Sequence, residues 1–270
     1  MPFNKTSIQD KQLSIQIFKD GFSFCTSNAR PFFKFENHSI VKGNAFKKLL
    51  DSYSFLESTK IIGVHFDHYA TFVPKTLYNP NQKKNYIQYN VSLDENHSIS
   101  EKESKDERIK VLYPVNATVE KTLQHYFKEI HFTHYSQILY DLSSNANKED
   151  DSIVMNIHIQ DDEFDLLVFK GKELLIFNTY PYKNEDVFLY FVLAVAEELS
   201  LSHKDFEIVF FGKYVRYKEC YEALSLYHEK MIFTNQEGFI MFDEREHPAP
   251  YFINLFDWCE SFPVFIKAED

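Results

Sequence analysis

The stretch "QLSIQIFKDGFSF", Gln12 to Phe24, is written a second time as "MNIHIQDDEFDLL", Met155 to Leu167. A shift of 142 positions carries Ile15 onto Ile157, Ile17 onto Ile159 and Phe22 onto Phe164. In the first copy Leu13, Ile15 and Ile17 alternate with polar residues, and Phe22 and Phe24 do so again after a break. A period of two is the mark of a half-buried strand. The break holds Asp20-Gly21, a strong hairpin signal because glycine accepts a positive φ. The second copy keeps Asp161 and Asp162 at its break but has no glycine. Both copies predict strand, tight acidic turn, strand, and their repetition predicts two similar lobes made by internal duplication.

Reading outward from the first hairpin, "RPFFKFENHSI" offers a third strand. "NAFKKLLDSYSFL" has helical spacing, with Phe46, Leu49, Leu50 and Tyr53 on one stripe, and "KIIGVHFDHYATFVP" returns to strand character. The first half thus reads β-β-β-α-β. Around the second hairpin the order is cleaner. Strands "SIVMNIHIQ" and "FDLLVFK" lead through Gly171 to "KELLIFNTYPY". Asn184 then caps a helix through "EDVFLYFVLAVAEELSLS", with Glu185 and Asp186 placed to favour its dipole. Strand "FEIVFFG", helix "YKECYEALSLYHEK" and strand "MIFTN" complete β-β-β-α-β-α-β. Between the halves, "RIKVLYPV" predicts a strand, and "ATVEKTLQHYF" and "SQILYDLSS" predict helices. The polar run Ser92 to Arg108 is expected to be a mobile excursion, and Ser143 to Ser152 a hinge. The domains are therefore 1–150 and 151–270, the second ending in closing strands from "HPAPYFINLFDWCESFPVFIK".

The bulk composition narrows the function. The chain has 270 residues, is 44% hydrophobic and holds 28 Phe and 17 Tyr, so it can build a substantial core. Its net charge of −11 disfavours nucleic acid and anionic membranes, both of which need a basic field. Cys25, Cys220 and Cys259 are too few and too far apart for a disulfide framework or a CxxC metal site, which points to a reducing cytoplasm. "MPFNKTSIQDKQLS" lacks the apolar core of a secretion signal. The run "VFLYFVLAVA", Val187 to Ala196, is about half of the roughly 20 residues a membrane span requires. No membrane insertion is expected.

Four segments, in this order, carry a resemblance: "ATFVPKTLYN" from Ala70, "NTYPYKNEDVFLYFVL" from Asn178, "FFGKY" from Phe210 and "HPAPYFINLFDWC" from His247. Together with the repeated element order they resemble a bacterial family of unknown function with a duplicated actin-like ATPase fold. The second half is also similar to the corresponding lobe of pilus-assembly and cell-division members of that superfamily. The resemblance implies an α/β architecture of two ribonuclease-H-like lobes and leaves the chemistry open.

In the actin-like superfamily each hairpin turn wraps a phosphate of ATP, an Asp holds magnesium through water, and a Gly-Gly turn underlies the adenosine. The resemblance maps these roles onto Asp20, Gly21, Asp161, Asp162, Gly212 and Lys213. This chain departs from the pattern. The first turn lacks a longer Gly- and Ser/Thr-rich loop, the second has no glycine and adds Glu163 and Asp165, and one glycine of the Gly-Gly pair is Lys213. A carboxylate about 4 Å from a phosphate charge costs about 1 kcal/mol in water and about 4 at an effective dielectric of 20. No "GxxxxGK[ST]" loop offsets that repulsion. The first expectation is thus a scaffold that kept its lobes and lost most of its phosphate grip. It needs no cofactor and binds a protein or peptide partner without catalysis. The alternative is a divergent ATP- and magnesium-binding protein or phosphotransferase.

Other constellations are sparser. "HFDH" brings His65, Asp67 and His68 together, and His125, His131 and His134 follow downstream. A metal-dependent hydrolase at His65 and Asp67 is the third reading, against ordinary strand histidines. Asp186 and Tyr190 share a helical face that could line a groove, against a dipole-complementing Asp and a packed Tyr. Lys213, Arg216 and Lys218, with Tyr214 and Tyr217, could receive an anion or an acidic peptide, against a solvated loop. No "GxSxG" elbow or recognisable nucleophilic cysteine occurs.

Overall fold

A computed structural model describes residues 6–8, 12–19, 21–25, 32–34, 45–55, 60–95, 97–147, 151–160, 162–211 and 217–233. They fall into two compact units, which divide at Ile138 and Leu139.

The first unit runs β1 (Thr6–Ile8), β2 (Gln12–Ile17), β3 (Gly21–Cys25), β4 (Phe32–Lys34), α1 (Ala45–Asp51), β5 (Tyr53–Phe55), β6 (Lys60–His65) and β7 (Thr71–Pro74). It continues through α2 (Lys83–Ile87), β8 (His97–Glu103), β9 (Ile109–Asn116), α3 (Ala117–Tyr126) and β10 (His131–His134) to α4 (Tyr135–Ala146), within which the division between the units falls. Its main sheet has the order β10-β6-β2-β3-β4. Strands β6 and β10 are parallel to β2, and β3 is antiparallel to both β2 and β4.

The second unit contains β11 (Ile153–Ile159), β12 (Glu163–Lys170), β13 (Glu173–Pro181), α5 (Glu185–Glu198), β14 (Phe206–Phe211), α6 (Lys218–Ser225) and β15 (Met231–Phe233). Its sheet order, β13-β12-β11-β14-β15, is that of the first read from the opposite edge when strands are numbered by their place in each sheet. The directions repeat as well. This is the ribonuclease-H-like arrangement implied by the sequence.

The hairpins agree in register. Ile17 faces Phe22 and Ile159 faces Phe164. The amide of Phe18 donates to the carbonyl of Gly21 at 2.9 Å, and that of Gln160 to the carbonyl of Glu163 at 2.8 Å.

Alternation explains the cores. Leu13, Ile15, Ile17 and Phe22 pack with Val119 and Leu123 of α3 and with Phe127. Met155, Ile157 and Ile159 pack with Phe188, Val192 and Val195 of α5 and with Tyr221 and Leu224 of α6. The opposite face is not open to water as a half-buried strand would have it. Ser14, Gln16, Asn156 and His158 are buried there too. Both central strands are therefore enclosed on two sides, one apolar and one polar.

Four local expectations change. The polar run 92–108 is not a mobile excursion: β8 pairs with β9 from His97–Asn116 to Glu103–Lys110, within a sheet ordered β7-β9-β8. Tyr53–Phe55, expected at the end of the first helix, instead form β5, where Tyr53 pairs with Thr6. Residues 143–146, expected to open a hinge, belong instead to the end of α4. "HFTH", for which no element was expected, is a strand, β10, and supplies the fifth member of the first sheet. In α5 the Asn184 side chain accepts from the amide of Val187 at 3.0 Å, as its cap position requires. Among the described residues no helix is long and apolar enough to cross a membrane.

Candidate functional site

The hairpin turns are where the actin-like resemblance puts phosphate. Gly21 is a strand residue, buried and paired with Lys34. The Phe18–Gly21 and Gln160–Glu163 bonds each close a hairpin with two residues of sequence between the bonded pair. Asp162 is exposed, and its carbonyl accepts from the amide of Tyr182 at 2.8 Å. Asp20, Asp161, Gly212 and Lys213 lie outside the described residues, as do Tyr214 and Arg216. Asp165 is not part of the acidic turn surface. It is fully buried and accepts from Thr179 Oγ1 at 2.7 Å and Gln160 Nε2 at 3.1 Å, with His158 Nδ1 at 3.0 Å.

The carboxyl ends of the strands in an open α/β sheet are the usual place for a ligand. In the first unit three rings cross that edge. Phe18, Phe66 and Tyr135 each follow directly after β2, β6 and β10. Phe18 stacks on Phe66 and Phe66 on Tyr135, both at centroid distances of 4.8 Å, the second pair within 5° of parallel. All three are buried.

Beside this stack lies a chain of acids and histidines. His65, the last residue of β6, has no exposed surface. Its Nδ1 meets Asp67 Oδ1 at 3.1 Å and its Nε2 meets Glu120 Oε1 of α3 at 3.2 Å. Burial alone would lower its pKa, but Asp67 and then Glu120 outweigh burial and raise it to about 9. Burial pulls Asp67 upward, and His65 reverses that to hold its carboxyl below the usual range. Asp67 Oδ2 is 3.7 Å from His68 Nε2. His68 Nε2 is 3.0 Å from His97 Nε2, and His97 Nδ1 is 2.7 Å from Asp94 Oδ1. His134 Nε2 reaches the carbonyl of His68 at 2.9 Å.

This arrangement removes the proposed hydrolase centre at His65 and Asp67. Both ring nitrogens of His65 are committed to carboxylates, so neither can ligate. Among the described residues no group of three or more His, Cys, Asp or Glu side chains is placed to hold a metal ion. His134 joins the chain, whereas His125 and His131 are exposed. Glu120, Asp94 and His97 were missed as partners because they come from distant elements and form no local motif.

The remaining candidates are dispersed. Lys218 pairs with Glu222 at 3.1 Å, and Tyr217 is buried. Asp186 and Tyr190 are both exposed, so Tyr190 does not pack into the core. Burial pushes the Cys220 thiol up to about 11, which leaves it unsuited to nucleophilic work. A cavity of about 450 Å³ opens between α5 and α6, with Val192, Leu193, Ala196, Leu224 and Tyr227 along its walls and Glu197 and His203 among its polar lining.

The architecture matches known structures. A Bacteroides thetaiotaomicron protein with actin-like ATPase fold and unknown function is 18% identical, with a TM-score of 0.67 over 85% of this chain and 92% of that one. The PilM-PilN type IV pilus biogenesis complex has a chain 10% identical, with a TM-score of 0.49 over 90% of this chain and 96% of that one. No curated protein matches the sequence. The chain has the actin-like ATPase fold, and it belongs to the family described as protein of unknown function (DUF3822), whose model matches residues 1–231.

Proposed function

We propose that this chain is a non-catalytic binding module of the actin-like fold that holds a protein or peptide partner in the cytoplasm. The carrying observation is the closure of both hairpins within two residues. A turn this short has few backbone N–H groups to turn toward a phosphate, and the stacked rings of Phe18, Phe66 and Tyr135 at the ends of β2, β6 and β10 support a site without nucleotide. The common strand order and hairpin register of the two units support an internal duplication whose scaffold outlived its phosphate grip.

The surface best suited to a partner is the cavity between α5 and α6. Leu193 and Tyr227 line it and are 38% and 54% exposed, and Leu226 beside them is 81% exposed. An apolar wall with an aromatic rim suits an aliphatic side chain of a peptide. Glu197 on the same wall favours a basic residue next to that anchor.

Two measurements test the reading. Thermal unfolding with millimolar Mg-ATP is expected to show no stabilisation; a ligand at 100 times its Kd would add about 2.7 kcal/mol. A rise in Tm that depends on magnesium would overturn the non-catalytic reading. Site-specific crosslinking from position 193 in the native cell is expected to give one recurrent adduct. Leu226→Glu or Tyr227→Ala should abolish it, while Tyr89→Ala, at an exposed site in the other unit, should not. An adduct indifferent to the cavity variants would reject this surface.

A further inference from the structure

Just past β6 the chain bends through Asp67 and His68, and β8 opens on His97. These segments, 29 residues apart, bring two imidazole Nε2 atoms to 3.0 Å. The ring planes are at 89° and the centroids are 4.7 Å apart. A head-on N–H···N bond would separate the centroids by the nitrogen distance plus both ring radii, which is more than is observed. The ring axes therefore lean instead of lining up. That lean weakens a shared proton and suits a third atom lying off the line between the nitrogens. An ion about 2.0–2.1 Å from each nitrogen fits this spacing.

The His97 ring is held from behind, and the backbone of His68 is fixed. Asp94 meets His97 Nδ1 at 2.7 Å, the carboxylate–histidine arrangement that turns the Nε2 lone pair toward a metal. His134 fixes the backbone of His68 through its carbonyl. Asp67 Oδ2, at 3.7 Å from His68 Nε2, adds negative charge beside the pair without closing it. The His68 and His97 side chains are 23% and 12% exposed, so an ion can enter.

We propose that His68 and His97 form an open, two-imidazole site for a borderline divalent ion of the zinc, nickel and copper class, with water completing the coordination. Nitrogen donors favour these ions over magnesium or calcium. With two protein ligands the site binds more weakly than a closed four-ligand zinc site. It is independent of the partner surface on α5 and α6.

The test is equilibrium dialysis of the full chain against zinc with a chromophoric competitor. One zinc per chain is expected, weakened at least tenfold by His68→Ala or His97→Ala. Asp94→Asn should weaken it by about tenfold, and because the Asp94 side chain is 63% exposed this variant keeps the fold. His131→Ala, at an exposed histidine on β10, should change nothing. Zinc held as tightly by the His68→Ala/His97→Ala double variant, or unaffected by Asp94→Asn, overturns the proposal and leaves a pair that only shares a proton.

Discussion

His65 shows how far a single residue can be read. The sequence puts it near Asp67, and the histidine–acid pairing is visible in four letters. Its second partner, Glu120, is 55 positions away and meets it only because α3 packs over the first sheet. Two carboxylates on one buried ring have a consequence for pH. The folded pKa, about 9, lies above the ordinary 6.5. The native state therefore holds the proton more tightly than the unfolded chain between these values. Stability from this group is fully present below pH 6.5 and is lost as pH rises through about 9. A Tm series from pH 6 to 10 should fall across that window, and His65→Gln should flatten the fall. Gly63, on the same strand, has a different constraint. A Cβ there would lie 2.5 Å from Phe132 Cδ1 of β10. Gly63→Ala is expected to cost about 1–3 kcal/mol in urea unfolding, as overpacking does; an unchanged midpoint would show that the ring moves aside.

Elements were legible where the pattern was long. The order from β11 to β15 was read because each strand carries apolar residues in pattern and α5 begins on a recognisable cap, while the closing strands expected from His247 onward lie outside the described residues. Asn184→Ala should lose about 1 kcal/mol, since the amide of Val187 loses its acceptor. Denaturant titration checks this, with Asn184→Asp retaining most of the stability. The short elements were not legible. "HSISEKE" looks disordered on its own, yet it becomes β8 because β9 offers a full ladder and lysines meet its acids. Lys83 pairs with Glu101 at 2.6 Å and Lys110 with Glu103 at 2.8 Å. β10 has only four residues, two of them histidines, and its strand character comes from pairing with β6. Tertiary ladders override local pattern in both cases.

At the scale of the whole molecule, the repeated hairpin predicted the repeated sheet, and the two strand orders agree. The candidate site was less legible. Its acids were visible as letters, but burial divides them: Asp165 turns inward to Thr179, Gln160 and His158, while Asp162 faces solvent. Periodicity assigns faces and says nothing of which polar faces will be enclosed, so the buried polar sides of β2 and β11 went unread.

The three rings beyond β2, β6 and β10 have a last consequence. Phe66 is the middle slice between two aromatic faces, so trimming it to alanine leaves a flat, dry slot shaped like benzene. Apolar voids of this kind stay empty of water and accept small aromatic guests. Phe66→Ala should therefore melt earlier and recover part of the loss when benzene or indole is dissolved in the buffer, and the parent should ignore both. A variant that melts early and is deaf to these guests would mean that Phe18 and Tyr135 close on each other once the filler is gone.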